Sequence, residues 1–130
     1  MGNFKKHAST GAVVGGLSGL IIDTTNQYNR IKCGQQEKFE WLELIVNIMG
    51  GTALGTMTGI LPDFLEPAKH PNHRKFFHSL TAASAIGIGL YKASISNLPT
   101  EIKTTINVAG LGYISHLIVD ARTPKCLPII

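Results

Sequence analysis

The chain has 130 residues, with 12 Lys and Arg against 8 Asp and Glu, and it is 44% hydrophobic but only 15% charged. That composition excludes intrinsic disorder, which needs low hydrophobicity and high charge. Two cysteines exclude a disulfide scaffold, and the length excludes two independent cores. A glycine-rich single domain over residues 1–130 remains, either membrane-associated or built around an unusually apolar core.

Charged residues are absent from four long runs, His7–Ile22, Leu44–Pro62, Phe76–Tyr91 and Thr104–Val119. Their apolar residues are continuous rather than alternating, which predicts helices. A run of 16 residues spans about 24 Å as a helix, short of the roughly 30 Å hydrocarbon core of a bilayer. Only Leu44–Pro62 approaches spanning length.

Asn3 can cap the first helix, and no small-x-small cleavage site follows its apolar stretch, so it is expected to be retained. It carries Gly11, Gly15 and Gly19 at every fourth position, and the second helix repeats the pattern with Gly51, Gly55 and Gly59. Residues i and i+4 share one helix face, so each series forms a flat groove that predicts close helix–helix approach.

The polar stretch 23–36 reads as a long connection. The second helix is expected from Glu37 to Pro62, where proline would end it. Pro67 and Pro71 make 63–72 a second irregular connection. A third helix is expected from about His73 to Ile95, and a fourth from a Thr100 cap to about Arg122. Together these predict an all-α, compact antiparallel four-helix bundle.

Neighbouring helices in such a bundle bring the start of the first, the end of the second, the start of the third and the end of the fourth to one pole. That pole collects all five histidines, with Asp63, Glu66 and Asp120. It also carries seven basic residues against those three acids, the whole net charge of +4. A basic rim of this kind suits an anionic substrate such as a phosphate ester.

Imidazoles and carboxylates from several helices are the ligand set of zinc, manganese or iron. His7, Asp63, Glu66, His73, His78, His116 and Asp120 can supply one or two ions, with a position left for water that the metal activates. Singly, each has an ordinary reading as a helix-end or turn residue. Jointly, ionisable groups beside apolar helices are costly unless they pair or bind metal. Cys33 and Cys126 are expected to lie apart as free thiols. Tyr28, Phe39 and Trp41 read either as an interfacial belt or as core edge.

The ordered set formed by His7, Gly59-Ile60-Leu61-Pro62-Asp63, His73-Arg74-Lys75-Phe76-Phe77-His78-Ser79 and Ser115-His116-Leu117-Ile118-Val119-Asp120 resembles the YdjM-type family. That family is described as LexA-binding, inner-membrane-associated, metal-dependent hydrolases, and it is distantly similar to helical zinc-dependent phospholipases C and zinc nucleases. The resemblance implies metal-ligand roles for His7, Asp63, His78, His116 and Asp120. It implies that His73 is a further ligand or holds one in place, and that Arg74 contacts phosphate. The acid common two residues after the L-P-D aspartate is missing here, where Leu65 stands. Glu66 is its candidate replacement, so Glu66 and Arg74 are the candidate catalytic residues.

The leading expectation is a hydrolase that cleaves a phosphoester, a phosphodiester above all, through metal-activated water. The competing one is a non-enzymatic, membrane-associated or protein-interaction module with a structural metal. Two settings fit: an inner membrane with the site facing the cytoplasm, or the cytoplasm itself. Expected partners are a phosphate-bearing anion, a lipid surface and a protein. Sequence-specific nucleic-acid binding ranks last, since no DNA-binding motif occurs.

Overall fold

A computed structural model of the chain describes residues 2–67, 76–122, 127 and 129. It is all-α, with four helices: α1 Gly2–Lys32, α2 Trp41–Leu65, α3 Leu80–Ile95 and α4 Thr100–Ala121. The expected helical bundle is borne out, with differences at its ends.

α1 continues through the polar stretch expected to be a connection, so the loop between α1 and α2 begins only after Lys32. Polar side chains make that extension favourable. Arg30 Nη2 reaches both carboxylate oxygens of Glu43 at 2.7 Å, and the fully buried Gln27 binds the Glu40 backbone through its amide group. Gly34, at φ 70°, then turns the chain. α2 starts at Trp41 rather than Glu37 and passes through Pro62 to Leu65. An internal proline removes one backbone donor and does not have to end a helix. This continuation keeps Asp63 one helical turn beyond Gly59 on the same face. α3 begins at Leu80, later than expected, with Ser79 as its cap. The Ser79 hydroxyl accepts from the Ala82 N–H at 3.1 Å.

The two glycine series meet. A Cβ placed on Gly11, Gly15 or Gly19 would fall on the carbonyls of Gly55, Gly51 or Asn47, respectively, and one on Gly51 or Gly55 would strike α1 in return. The falling partner numbers show that α1 and α2 are antiparallel with backbones in contact. Gly112 of α4 presses on Gly55 and Thr58 of the same seam. His116, one turn further on, meets Gly59, so α4 runs beside α2 in the same direction, closing a three-helix core. Among the described residues, α3 packs on α4 alone.

The interior is small and mixed. The seam glycines, Ser18, Asp23, Gln27, Ser79, His116 and Asp120 lie inside with Leu44, Val108, Tyr113 and Leu117, whereas Val13, Leu17, Ile21, Leu42, Val46 and Met49 face outward. α2 is long and apolar enough to cross a membrane, and only 22% of its apolar window is buried. Tyr28 and Trp41 are exposed, which removes the core-edge reading for both.

Candidate metal centre

Five of the residues assigned to the shared pole come together. His7 comes from the first turns of α1, Asp63 from the last turn of α2, His78 from the turn before α3, and His116 and Asp120 from the last turns of α4. His7, His78, His116 and Asp120 are each 1% exposed or less, and the Asp63 side chain is 29% exposed.

His116 is the best fixed of these groups. Its Nδ1 lies 2.7 Å from the Gly59 carbonyl oxygen, which can only accept, so Nδ1 carries the proton. Nε2 points into the cluster, 3.4 Å from Asp120 Oδ2 and 3.7 Å from Asp63 Oδ1. It has no hydrogen-bond partner there. Gly59 and Asp63, four residues apart on α2, thus serve the same imidazole, one from behind and one from the front. A Cβ on Gly59 would stand 3.0 Å from Gly11 Cα and 3.1 Å from the His7 carbonyl, so glycine is what lets α1 bring His7 close.

His7 stacks on His116 with ring centroids 3.8 Å apart, and its Nε2 lies 3.4 Å from Asp120 Oδ1 and 4.0 Å from Asp63 Oδ2. The Nδ1 of His7 is buried without a partner. His78 is held from the other side. Its Nδ1 meets Glu66 Oε2 at 3.0 Å, and its Nε2 lies 3.3 Å from Asp63 Oδ1 and 3.7 Å from Asp120 Oδ2. Burial alone pushes the His78 pKa down, but hydrogen bonds to Asp63 and Glu66 outweigh it and hold that pKa above the ordinary histidine value. The turn that carries His78 is tied down by Tyr113, whose hydroxyl donates to the Phe77 carbonyl at 2.7 Å.

Donor atoms of His7, Asp63 and His116 lie within 4.8 Å of one another, and so do those of His78, His116 and Asp120. Ligands 2.0–2.1 Å from a tetrahedral zinc stand about 3.3–3.4 Å apart, close to the shorter separations here. Two carboxylates facing one buried imidazole nitrogen call for positive charge between them, supplied by a proton on the ring or by a metal ion. The donor set therefore fits a divalent metal.

The cluster thus includes five of the six metal ligands expected from sequence, and Glu66 stands behind His78. His73 and Arg74 lie outside the described residues, as do His70, Lys75 and Cys126. Cys33 is a free, exposed thiol. Sequence reasoning did not foresee the roles of the Gly59 carbonyl and of Tyr113. Gly59 stood out only as one of a glycine series, and Tyr113 gave no signal beyond its place near His116.

Beside Asp63 an apolar groove of about 370 Å³ opens between Phe4, Met57, Ile60, Leu61 and Phe64. Asp63 lines this groove and is the one partly exposed carboxylate among the five clustered residues.

Residues 1–130 match the family described as YdjM inner membrane protein, and the chain belongs to that family. No curated protein and no solved structure matches it.

Proposed function

We propose that this YdjM-family chain is a membrane-embedded, metal-dependent hydrolase of phosphoesters, phosphodiesters above all. The observation that carries this reading is the convergence of the buried His116 Nε2, held from behind by the Gly59 carbonyl, with Asp63, Asp120, His7 and His78 in one cluster. His7, Asp63, His78, His116 and Asp120 would hold one or two ions, zinc first and manganese or iron as alternatives. A divalent metal in such a pocket supplies Lewis acidity toward a phosphoryl oxygen and makes water nucleophilic near neutral pH.

The chain's own groups do the positioning. Glu66 binds Nδ1 of His78 and so turns Nε2 toward the cluster, as a carboxylate behind a metal-bound histidine does. Arg74, with Lys69 or Lys75, would hold the anionic group. Structural metal sites are closed and catalytic ones keep an open side. The partial exposure of Asp63 and the groove next to it favour catalysis over a purely structural ion.

The membrane setting rests on the family and on the outward-facing apolar side chains of α1 and α2. Patches of that extent mark contact with lipid or a partner. Lys5 and Lys6 beside the site turn this pole toward the cytoplasm by the positive-inside bias.

The test is elemental analysis of the purified protein, followed by hydrolysis of bis(p-nitrophenyl) phosphate with metal, after chelation and after metal return. Stoichiometric metal and chelator-sensitive turnover are expected. Stoichiometric metal without turnover would leave the structural-metal module as the function.

A further inference from the structure

Along the last turns of α2 a groove of about 370 Å³ lies between Met57, Ile60, Leu61 and Phe64 and, from α1, Phe4, and its one charged lining residue is Asp63. We propose that this groove seats one acyl chain of a membrane glycerophospholipid, with the phosphodiester of that lipid beside Asp63. The proposal rests on the hydrolase reading above and names the substrate of the same site.

Depth in the bilayer comes first. Tyr28, Trp41 and Tyr91 are exposed near the far ends of α1, α2 and α3, and such amphipathic rings settle at the boundary between hydrocarbon and water. Asp63 lies twenty-two residues beyond Trp41 on α2, roughly 33 Å at 1.5 Å per residue. The hydrocarbon core is about 30 Å thick. With Trp41 at one boundary, Asp63 therefore falls at the other, the level of lipid phosphates. Met57, six residues before Asp63, lies roughly 9 Å deeper. The groove thus leads from the phosphate level down into hydrocarbon, which is the course of an acyl chain.

The wall selects the same ligand. Sites for polar molecules place several hydrogen-bonding groups around them, but here five side chains are apolar and the single carboxylate belongs to the metal cluster. The matching ligand is hydrocarbon along its length and polar only where the cluster begins. Charge decides the polar group. Lys5 and Lys6 are exposed and lie in the chain between Phe4 of the groove and His7 of the cluster. With a cation held by the cluster, they make this end attract an anion despite Asp63. A lipid also enters the groove without leaving the bilayer, because Val46, Met49 and Met57 continue the exposed apolar face of α2. In the hydrolysis, the oxygen of water bonds to phosphorus, one P–O ester bond breaks, and one proton of the water goes to the leaving alkoxide. The products are an alcohol and a phosphomonoester.

The test has one readout without turnover and one with it. The full chain is placed in phosphatidylcholine nanodiscs that contain phosphatidylglycerol with a diazirine midway along one acyl chain, and the photo-labelled residues are mapped by mass spectrometry. Met57, Ile60 and Leu61 should take up at least about fivefold more label than Val13 and Val46, which are exposed apolar residues outside the groove. Met57→Trp, at an exposed position, should fill the groove and lower labelling of Phe4 and Ile60 at least threefold, whereas Val46→Trp should not. In amphipol with zinc, kcat/KM should rise at least about fivefold from dibutyryl- to dihexanoyl-phosphatidylglycerol, since each buried methylene favours binding. Bis(p-nitrophenyl) phosphate, which has no chain, reports the hydrolase reading alone. Even labelling inside and outside the groove, or equal kcat/KM for both chain lengths in protein that hydrolyses the chainless ester, would overturn the proposal and leave the hydrolase reading standing. Labelling that appears only once a dimer is dissociated would assign the groove to a second copy and overturn it as well. Groove labelling in protein that hydrolyses neither ester would uphold the lipid seat while the hydrolase reading fell.

Discussion

His116 donates to the Gly59 carbonyl through Nδ1 at 2.7 Å and presents Nε2 to Asp63 and Asp120. One backbone oxygen on α2 thereby fixes the chemistry of an imidazole on α4. Replacing His116 by alanine removes the donor common to both candidate ligand groups. Purified wild-type protein is expected to hold at least one equivalent of metal, and His116→Ala less than a tenth of that by elemental analysis. Equal metal content in the two proteins would contradict the site.

Behind His78, Glu66 plays a supporting role at 3.0 Å. Groups that orient a metal-binding histidine typically contribute 10–100-fold to metal affinity. Glu66→Gln keeps the shape and an oxygen acceptor but loses the charge, so metal affinity should fall toward the lower part of that range while the fold survives. Competition with a chromophoric chelator measures it. Affinity within twofold of wild type would mean that Glu66 does not position His78.

The glycine seam gives a stability test independent of any metal. A Cβ on Gly15 meets the Gly51 carbonyl, whereas one on Gly50, the residue just before Gly51 on α2, meets nothing within 4 Å. Gly15→Ala forces two backbones apart, and overpacking of this kind costs about 1–3 kcal/mol. Gly50→Ala should instead stabilise by up to about 1 kcal/mol through helix propensity. Thermal unfolding of the two variants in one detergent should therefore move in opposite directions. Parallel shifts would contradict the observed packing.

The seam was legible in the sequence because its signal is purely periodic: glycine every fourth residue on two helices demands close approach wherever the helices lie. The shared pole was legible because alternating helix directions bring the same ends together, although the expected neighbours were not all found, since among the described residues α3 packs on α4 and not on α2. The end of α1 was not. Asp23, Gln27 and Arg30 read as loop residues because their partners, Asn47, Glu40 and Glu43, lie on or beside another helix, and tertiary hydrogen bonds have no local signature. Pro62 misled in the same way. Its local preference is to end a helix, and packing at the site overrides it. The Gly59 carbonyl is a backbone group, so its role in fixing a tautomer has no side-chain trace at all.

The pH dependence of stability separates the metal-free protein from the loaded one. In the metal-free chain His78 has a pKa above its unfolded value of about 6.5, because Asp63 and Glu66 favour the imidazolium. Its contribution to stability is therefore complete below about pH 6.5 and lost as pH rises through the raised value. Metal reverses the slope. A coordinating imidazole must shed its proton, so stabilisation by a bound ion grows as pH rises over the same window. Thermal unfolding between about pH 6 and 8 should show this group's contribution falling with pH in chelator and metal-induced stabilisation rising with pH when zinc is present. His78→Gln removes the titrating group and should flatten both trends. If the wild-type curves with and without zinc run parallel, protons and metal do not compete at His78, and its assignment as a ligand falls.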